Sequence, residues 1–310
     1  MDTRVRTPAT PAPWHGRCGV LGMMIAAFAL SLTAVGCAAD PNPLPQYMQD
    51  APRTDEDVKR AIGEIRKELG DEFMIDSLEG IFYLAANGGL DEYRRCRATV
   101  ERMYRFLTTF YFEKKAIKPI RIYCFRDKPS YDKYCMDTYQ RGPSTPFGFY
   151  MPSERKMVMN IATGTGTLAH ETVHPLLAED FPGVPSWFNE GFASLYEQSE
   201  QGVDGQMEGL VNWRLKGLRE AMRDDRAVPL ADLLKTSTKE FYDEARGVNY
   251  ATARYLCKWL QDQKKLRDFY REFKATAKDD PTGRAALEKV AGMKLDEIDP
   301  KWREWVKDLK

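Results

Sequence analysis

Five residues, His170-Glu171-Thr172-Val173-His174, limit this chain more than any other stretch of it. On a helix, side chains four apart share a face and lie about one turn apart. On a strand the same two histidines would stand about 13 Å apart, too far to meet at one ion. The run therefore asks for a helix. Neutral imidazoles suit a zinc ion, and a catalytic zinc keeps one position open for water. Zinc makes that water acidic, and a carboxylate placed like Glu171 can take its proton. The chain has three histidines in all, and two of them fall here. The plain alternative is a helix that happens to carry two surface histidines.

The rest of the chain is read around that helix. Asp55 to Leu69 is a charged helix stopped by Gly70. Phe73 to Ser77 and Ile81 to Ala86 are short apolar runs, read as strands, with Asn87-Gly88-Gly89 as the break after them. From Asp91 to Lys115, Cys96, Val100, Met103, Leu107 and Phe110 recur at three-and-four spacing, which predicts a long amphipathic helix. Ile120 to Phe125 alternates and reads as a strand. Pro129 to Tyr139 reads as a helix with proline in its first turn. Phe147 to Tyr150 and Lys156 to Ala162 flank the polar turn Pro152-Ser153-Glu154 as a hairpin, and Thr163 to Thr167 is a flexible break. Helical patterns then dominate, at Met207 to Arg223, Val248 to Gln261, Lys264 to Ala277, Arg284 to Val290 and Leu295 to Leu309. This order predicts an α+β fold. Residues 54–169 form its α/β part, a small mixed sheet with a hairpin and a long helix. Residues 170–310 form a mostly helical part that carries the metal site. Pro175, directly after His174, predicts a kink that tilts that histidine.

Two histidines need a third ligand. After a gap of fifteen residues from His174 comes Glu190, in Pro185-Ser186-Trp187-Phe188-Asn189-Glu190-Gly191-Phe192-Ala193. The gap has room for the end of one helix, a loop through Asp180-Phe181-Pro182-Gly183, and a returning helix. HExxH followed by Asn189-Glu190-Gly191-Phe192-Ala193 resembles the gluzincin metallopeptidases. Trp187 to Ala193 is similar to the third-ligand helix of the zinc aminopeptidases. The hairpin, the Gly/Thr break and the motif order look most like the bacterial peptidase MA-like proteins. The resemblance covers about residues 73–262 and implies a zincin-like fold. It implies His170, His174 and Glu190 as Zn2+ ligands and Glu171 as the general base, which returns the proton to the leaving amine. Tyr250 opens a segment similar to the one whose tyrosine stabilises the oxyanion in aminopeptidases. Read on its residues alone, Tyr250 is equally a core aromatic. Glu197 reads either as a partner that orients a ligand histidine or as a solvated surface carboxylate. In proteins of this kind an edge strand flanks the cleft, which implies that role for Lys156 to Ala162. An extended peptide would add to such an edge through main-chain hydrogen bonds. The GxMEN signature of aminopeptidases is absent and the ligand gap is shorter than theirs, so an aminopeptidase is not expected.

Charge and the N-terminus say where such a chain would work. Lys plus Arg and Asp plus Glu are 46 each, so the net charge is zero and no nucleic-acid partner is expected. Residues 1–36 read as an export signal. Arg4, Arg6 and Arg17 precede an apolar run from Val20 to Val35, which is shorter than the roughly 20 residues a membrane span needs. Ala34-Val35-Gly36-Cys37 resembles a bacterial lipobox, which implies lipidation at Cys37; a plain secretory cleavage and an uncleaved anchor are the alternatives. All three export the chain to the cell envelope. Residues 37–53, with Pro41, Pro43 and Pro45, read as a tether. Cys96, Cys124, Cys135 and Cys257 allow three pairings, and disulfides and buried thiols both stay open. The expectation is an exported zinc metallopeptidase acting on a peptide or protein substrate and held to a membrane by a lipid anchor. The alternative is a non-catalytic, zinc-stabilised lipoprotein that binds peptides or envelope components. Against it stands Glu171, for which a purely structural zinc site has no use.

Overall fold

A computed structural model describes residues 54–114, 118–243 and 246–310. The signal, Cys37 and the whole tether lie outside the described residues. The chain opens with α1 (Asp55–Leu69). Its Thr54 cap and Asp57 exchange side-chain and backbone hydrogen bonds, which satisfies two otherwise orphaned donors. Then come β1 (Met74–Leu78), β2 (Phe82–Ala86), α2 (Leu90–Phe110), β3 (Ile120–Phe125), α3 (Lys128–Tyr139), β4 (Gly148–Met151) and β5 (Lys156–Asn160). The five strands form one mixed sheet in the order β1-β2-β3-β5-β4. The inner pairs β2–β3 and β3–β5 are parallel and the two outer pairs antiparallel, with Leu84 opposite Ile122 and Ile122 opposite Met157.

Strands β2, β3 and β5 are buried along their whole length because both faces of the sheet are covered. One face sends Phe82, Leu84, Ile122 and Met157 into a large core shared with α2 and the later helices. The other sends Tyr83, Tyr123 and Val158 against Ile65 of α1 and Tyr131 of α3. This topology corrects the expected edge strand. The outer strand on that side is β4, and the segment read as an edge at Lys156 to Ala162 lies inside the sheet as β5. Lys156 is buried there because two carboxylates meet its ammonium, Glu154 at 2.8 Å and Glu68 at 3.3 Å. The four cysteines of the folded part are buried free thiols.

After the sheet come α4 (Gly166–Asp180), α5 (Ser186–Leu195), a small hairpin of β6 (Ser199–Gln201) and β7 (Met207–Gly209), and then α6 (Arg214–Arg223), α7 (Leu230–Leu233) and α8 (Thr238–Phe241). The chain finishes with α9 (Arg246–Asp262), α10 (Leu266–Thr276), α11 (Arg284–Ala291) and α12 (Leu295–Asp308). The molecule is thus α+β, as its pattern predicts. Two local expectations fail. Met207 to Arg223 is a strand followed by a helix rather than one helix. Gly209 passes so close to α5 that a Cβ there would lie 2.4 Å from the Leu195 side chain. The Thr163–Thr167 break is shorter than expected, since α4 begins at Gly166. Helix α4 continues to Asp180 with Pro175 inside it. Val173, Leu176 and Leu177 are buried on either side of the proline, and packing of that face outweighs one missing backbone bond.

Helix α4 packs against α2, β4 and α5, and α5 lies along α9. The last contact depends on Gly191, where a Cβ would sit 2.7 Å from the Ala253 carbonyl oxygen. Behind α5, Trp187 stacks on Phe273 of α10 at 5.9 Å, while Phe188 meets Phe269 at 5.4 Å. Asp180 closes α4. It accepts hydrogen bonds from the backbone N–H groups of Glu113 (2.9 Å) and Lys114 (2.8 Å), from Lys274 Nζ (2.8 Å) and from the Tyr270 hydroxyl. Among the described residues, no helix is long and apolar enough to cross a membrane.

Candidate metal centre

His170 and His174 stand one turn apart on α4, with ring centroids 4.7 Å apart. Glu190 reaches them from α5. Its Oε2 lies 3.2 Å from His170 Nε2 and 3.9 Å from His174 Nε2. One ligand atom from each residue falls within 4.8 Å of the other two. Ligands at zinc distances in a tetrahedral arrangement stand about 3.4 Å apart, so the cluster already has nearly the right span. His170 and Glu190 are buried, and Glu190 Oε2 has no hydrogen-bond partner. A buried carboxylate oxygen facing two imidazole nitrogens fits a cation among the three. The donors suit a divalent metal.

Each ligand is held from behind. The Tyr242 hydroxyl donates a short hydrogen bond to Glu190 Oε1, which leaves Oε2 for the metal. His174 Nδ1 lies 3.0 Å from Asn189 Oδ1, a contact that holds the ring's orientation beside the cluster. His170 Nδ1 lies 3.2 Å from Glu197 Oε1, and Glu197 is gripped by Arg214 through two bonds of 3.0 and 2.7 Å. Glu197 is therefore buried against His170 and Arg214 rather than solvated. It sits just beyond the end of α5, and the backbone comes close because Gly166 has no side chain; a Cβ there would lie 2.5 Å from Glu197 O.

The electrostatics favour a cation. Burial opposes a charged His170, but Glu190 and Glu197 outweigh it and raise the ring's pKa to about 10. Burial likewise opposes the Glu190 carboxylate, yet the His174 charge and the bond from His170 bring it down to about 2. Glu197 also sits at about 2, with Arg214 overriding its burial. Glu171 differs. Burial raises its pKa, and the two histidines only partly counter that. A carboxyl raised in this way is a better proton acceptor near neutral pH than an ordinary glutamate.

No protein-family model matches the chain, and no curated protein matches it. The site therefore rests on its own geometry. The cluster lies in a cleft of about 1450 Å³ lined by His170, Glu171, His174, Glu190 and Tyr250. This exceeds the upper range of about 1000 Å³ usual for small-molecule sites. Glu171 Oε2 lies 3.9 Å from His174 Nε2, close to the cluster without belonging to it. Tyr250, on α9, is only partly buried and packs beside Tyr242, with ring centroids 6.1 Å apart. Burial first, and then the Glu190 charge, hold its hydroxyl protonated well above the usual range, so it remains a donor. The candidate residues of the sequence, His170, Glu171, His174, Glu190 and Tyr250, thus come together at one cleft. Cys37 lies outside the described residues. Sequence reading missed Tyr242, Asn189 and Arg214. Asn189 sits inside the quoted motif, whereas Tyr242 and Arg214 belong to no recognisable pattern.

Proposed function

We propose that this chain is a gluzincin-type zinc metallopeptidase of zincin-like fold, exported and tethered by a lipid on Cys37. The observation that carries the reading is the pairing of a three-donor cluster with a separate, cleft-facing carboxylate of raised pKa, Glu171. His170, His174 and Glu190 would hold the metal. When bound, zinc supplies a polarising positive charge for a carbonyl and acidifies a water. Glu171 takes a proton from the attacking water and passes it to the leaving amine nitrogen. Tyr250 donates its hydroxyl hydrogen to the developing oxyanion, a contact that exists in full only in the transition state. Asn189, Glu197 and Tyr242 keep the three ligands in register. The volume of the cleft, about 1450 Å³, leaves room for a peptide.

The test is hydrolysis of a mixed peptide library by residues 54–310 loaded with zinc. Glu171→Gln should keep one zinc per chain and lower kcat by about 10²–10⁴-fold. Equal turnover in the two proteins would remove Glu171 as the base, and zinc without any cleavage by the native chain would favour a binding role. For the anchor, Cys37→Ser should move the full chain from the membrane to the soluble fraction. Unchanged fractionation would point to an uncleaved helix instead.

A further inference from the structure

We infer that Trp213 is a specificity-determining residue that seats a large apolar side chain of the substrate, aromatic or long aliphatic, beside the scissile bond. The inference rests on the peptidase reading above and adds a substrate class to it.

Trp213 immediately precedes α6 and is 58% exposed. Few large apolar side chains are exposed among the described residues: Met74, Leu90, Met136 and Val203 besides Trp213. Of these five, Trp213 is the one that lines the metal-centre cleft. Scattered exposed apolar residues need no explanation, but a tryptophan open to a polar-centred cleft is a contact surface in waiting.

The ring is also held from the protein side. The Arg214 guanidinium carbon lies 5.5 Å from the Trp213 ring centroid and 5.2 Å from that of Tyr250. Arg214 is fixed in turn by its two bonds to Glu197, which touches His170 Nδ1. An exposed aromatic surface is therefore linked through two side chains to a metal ligand. A ring positioned in advance loses little freedom when a substrate lands on it, which is what makes such a surface useful for binding. Because Glu197 already answers the charge of Arg214, this wall offers apolar rather than ionic contact. Phe149, Tyr150 and Met151 of β4 and Val184 add further apolar surface to the same cleft.

The test uses one blocked peptide scaffold in which a single position beside the cleaved bond is varied among Phe, Leu, Ala and Asp. With zinc-loaded native protein, kcat/KM should be about tenfold or more higher for Phe and Leu than for Ala. Trp213→Ala should reduce that ratio to within about threefold, mainly through KM, and Trp213→Phe should restore most of it. Leu90→Ala, an equally exposed apolar change elsewhere, should leave the ratio intact. Without metal, the Phe peptide should shift tryptophan emission of the native protein to the blue and not that of Trp213→Ala. A preference that survives Trp213→Ala overturns the subsite while the peptidase reading stands. If the native protein cleaves nothing, the peptidase reading falls, and the metal-free emission shift still decides whether Trp213 seats apolar side chains.

Discussion

Glu190 divides its carboxylate between two tasks. One oxygen accepts from Tyr242 and the other is left for the cluster. Removing the hydroxyl should let the carboxylate turn while the fold stays intact. Tyr242→Phe is expected to weaken zinc binding about 10–100-fold, read by competition with a chromogenic chelator. An unchanged affinity would mean that the surrounding helices alone fix Glu190. The ligands themselves were legible in the sequence because helical spacing and one short motif place them. Tyr242 was not, because 52 residues of chain separate it from Glu190 and only the folded structure brings them together. Glu197 was half legible: its spacing suggested a role, but the choice between orienting and solvated needed the approach at Gly166.

At the level of elements, α4 carries both histidines and ends at Asp180, which binds the α2–β3 connection and α10 at once. Asp180→Asn should cost about 3–5 kcal/mol, because it leaves Lys274 and its neighbours facing a group without charge. The same contact makes stability depend on acid. Burial would raise the Asp180 pKa, but the bonds from Lys274 and Tyr270 outweigh it and lower the value. The unfolded chain takes up that proton first, near the ordinary value of about 4. The stabilisation is therefore complete above that range and fades as pH falls through the lowered native value. Thermal midpoints taken from pH 7 to pH 3 should fall further for the native protein than for Asp180→Asn; parallel curves would show that the contact contributes nothing. Most elements were legible because their apolar periods are clean, as in α2 and β3. The strand at Met207 was not, since three residues followed by a helical pattern carry no period of two. The inner position of β5 was hidden as well. Lys156 looks like an edge residue until Glu68 and Glu154 are seen around it.

For the whole molecule, the metal cluster joins α4 to α5, and both share one large apolar core with α2, α9 and α10. Metal binding should therefore stabilise the entire folded part and not merely a loop. Zinc at about a hundred times its dissociation constant would add about 2.7 kcal/mol. For a chain of this size that corresponds to a rise of about 5–10 °C in Tm, visible by calorimetry. A separate, metal-insensitive transition for residues 54–160 would instead reveal an independent sheet domain. The outer strand β4 has one more consequence. It is only four residues long, runs from a glycine with φ of 151° and is followed directly by Pro152. An unpaired strand edge is a template on which copies of a protein can polymerise. An edge this short offers only about two residues with outward backbone groups, and the proline ends the ladder abruptly. The β4 edge can thus lie open beside the cleft while offering a second copy little to pair with.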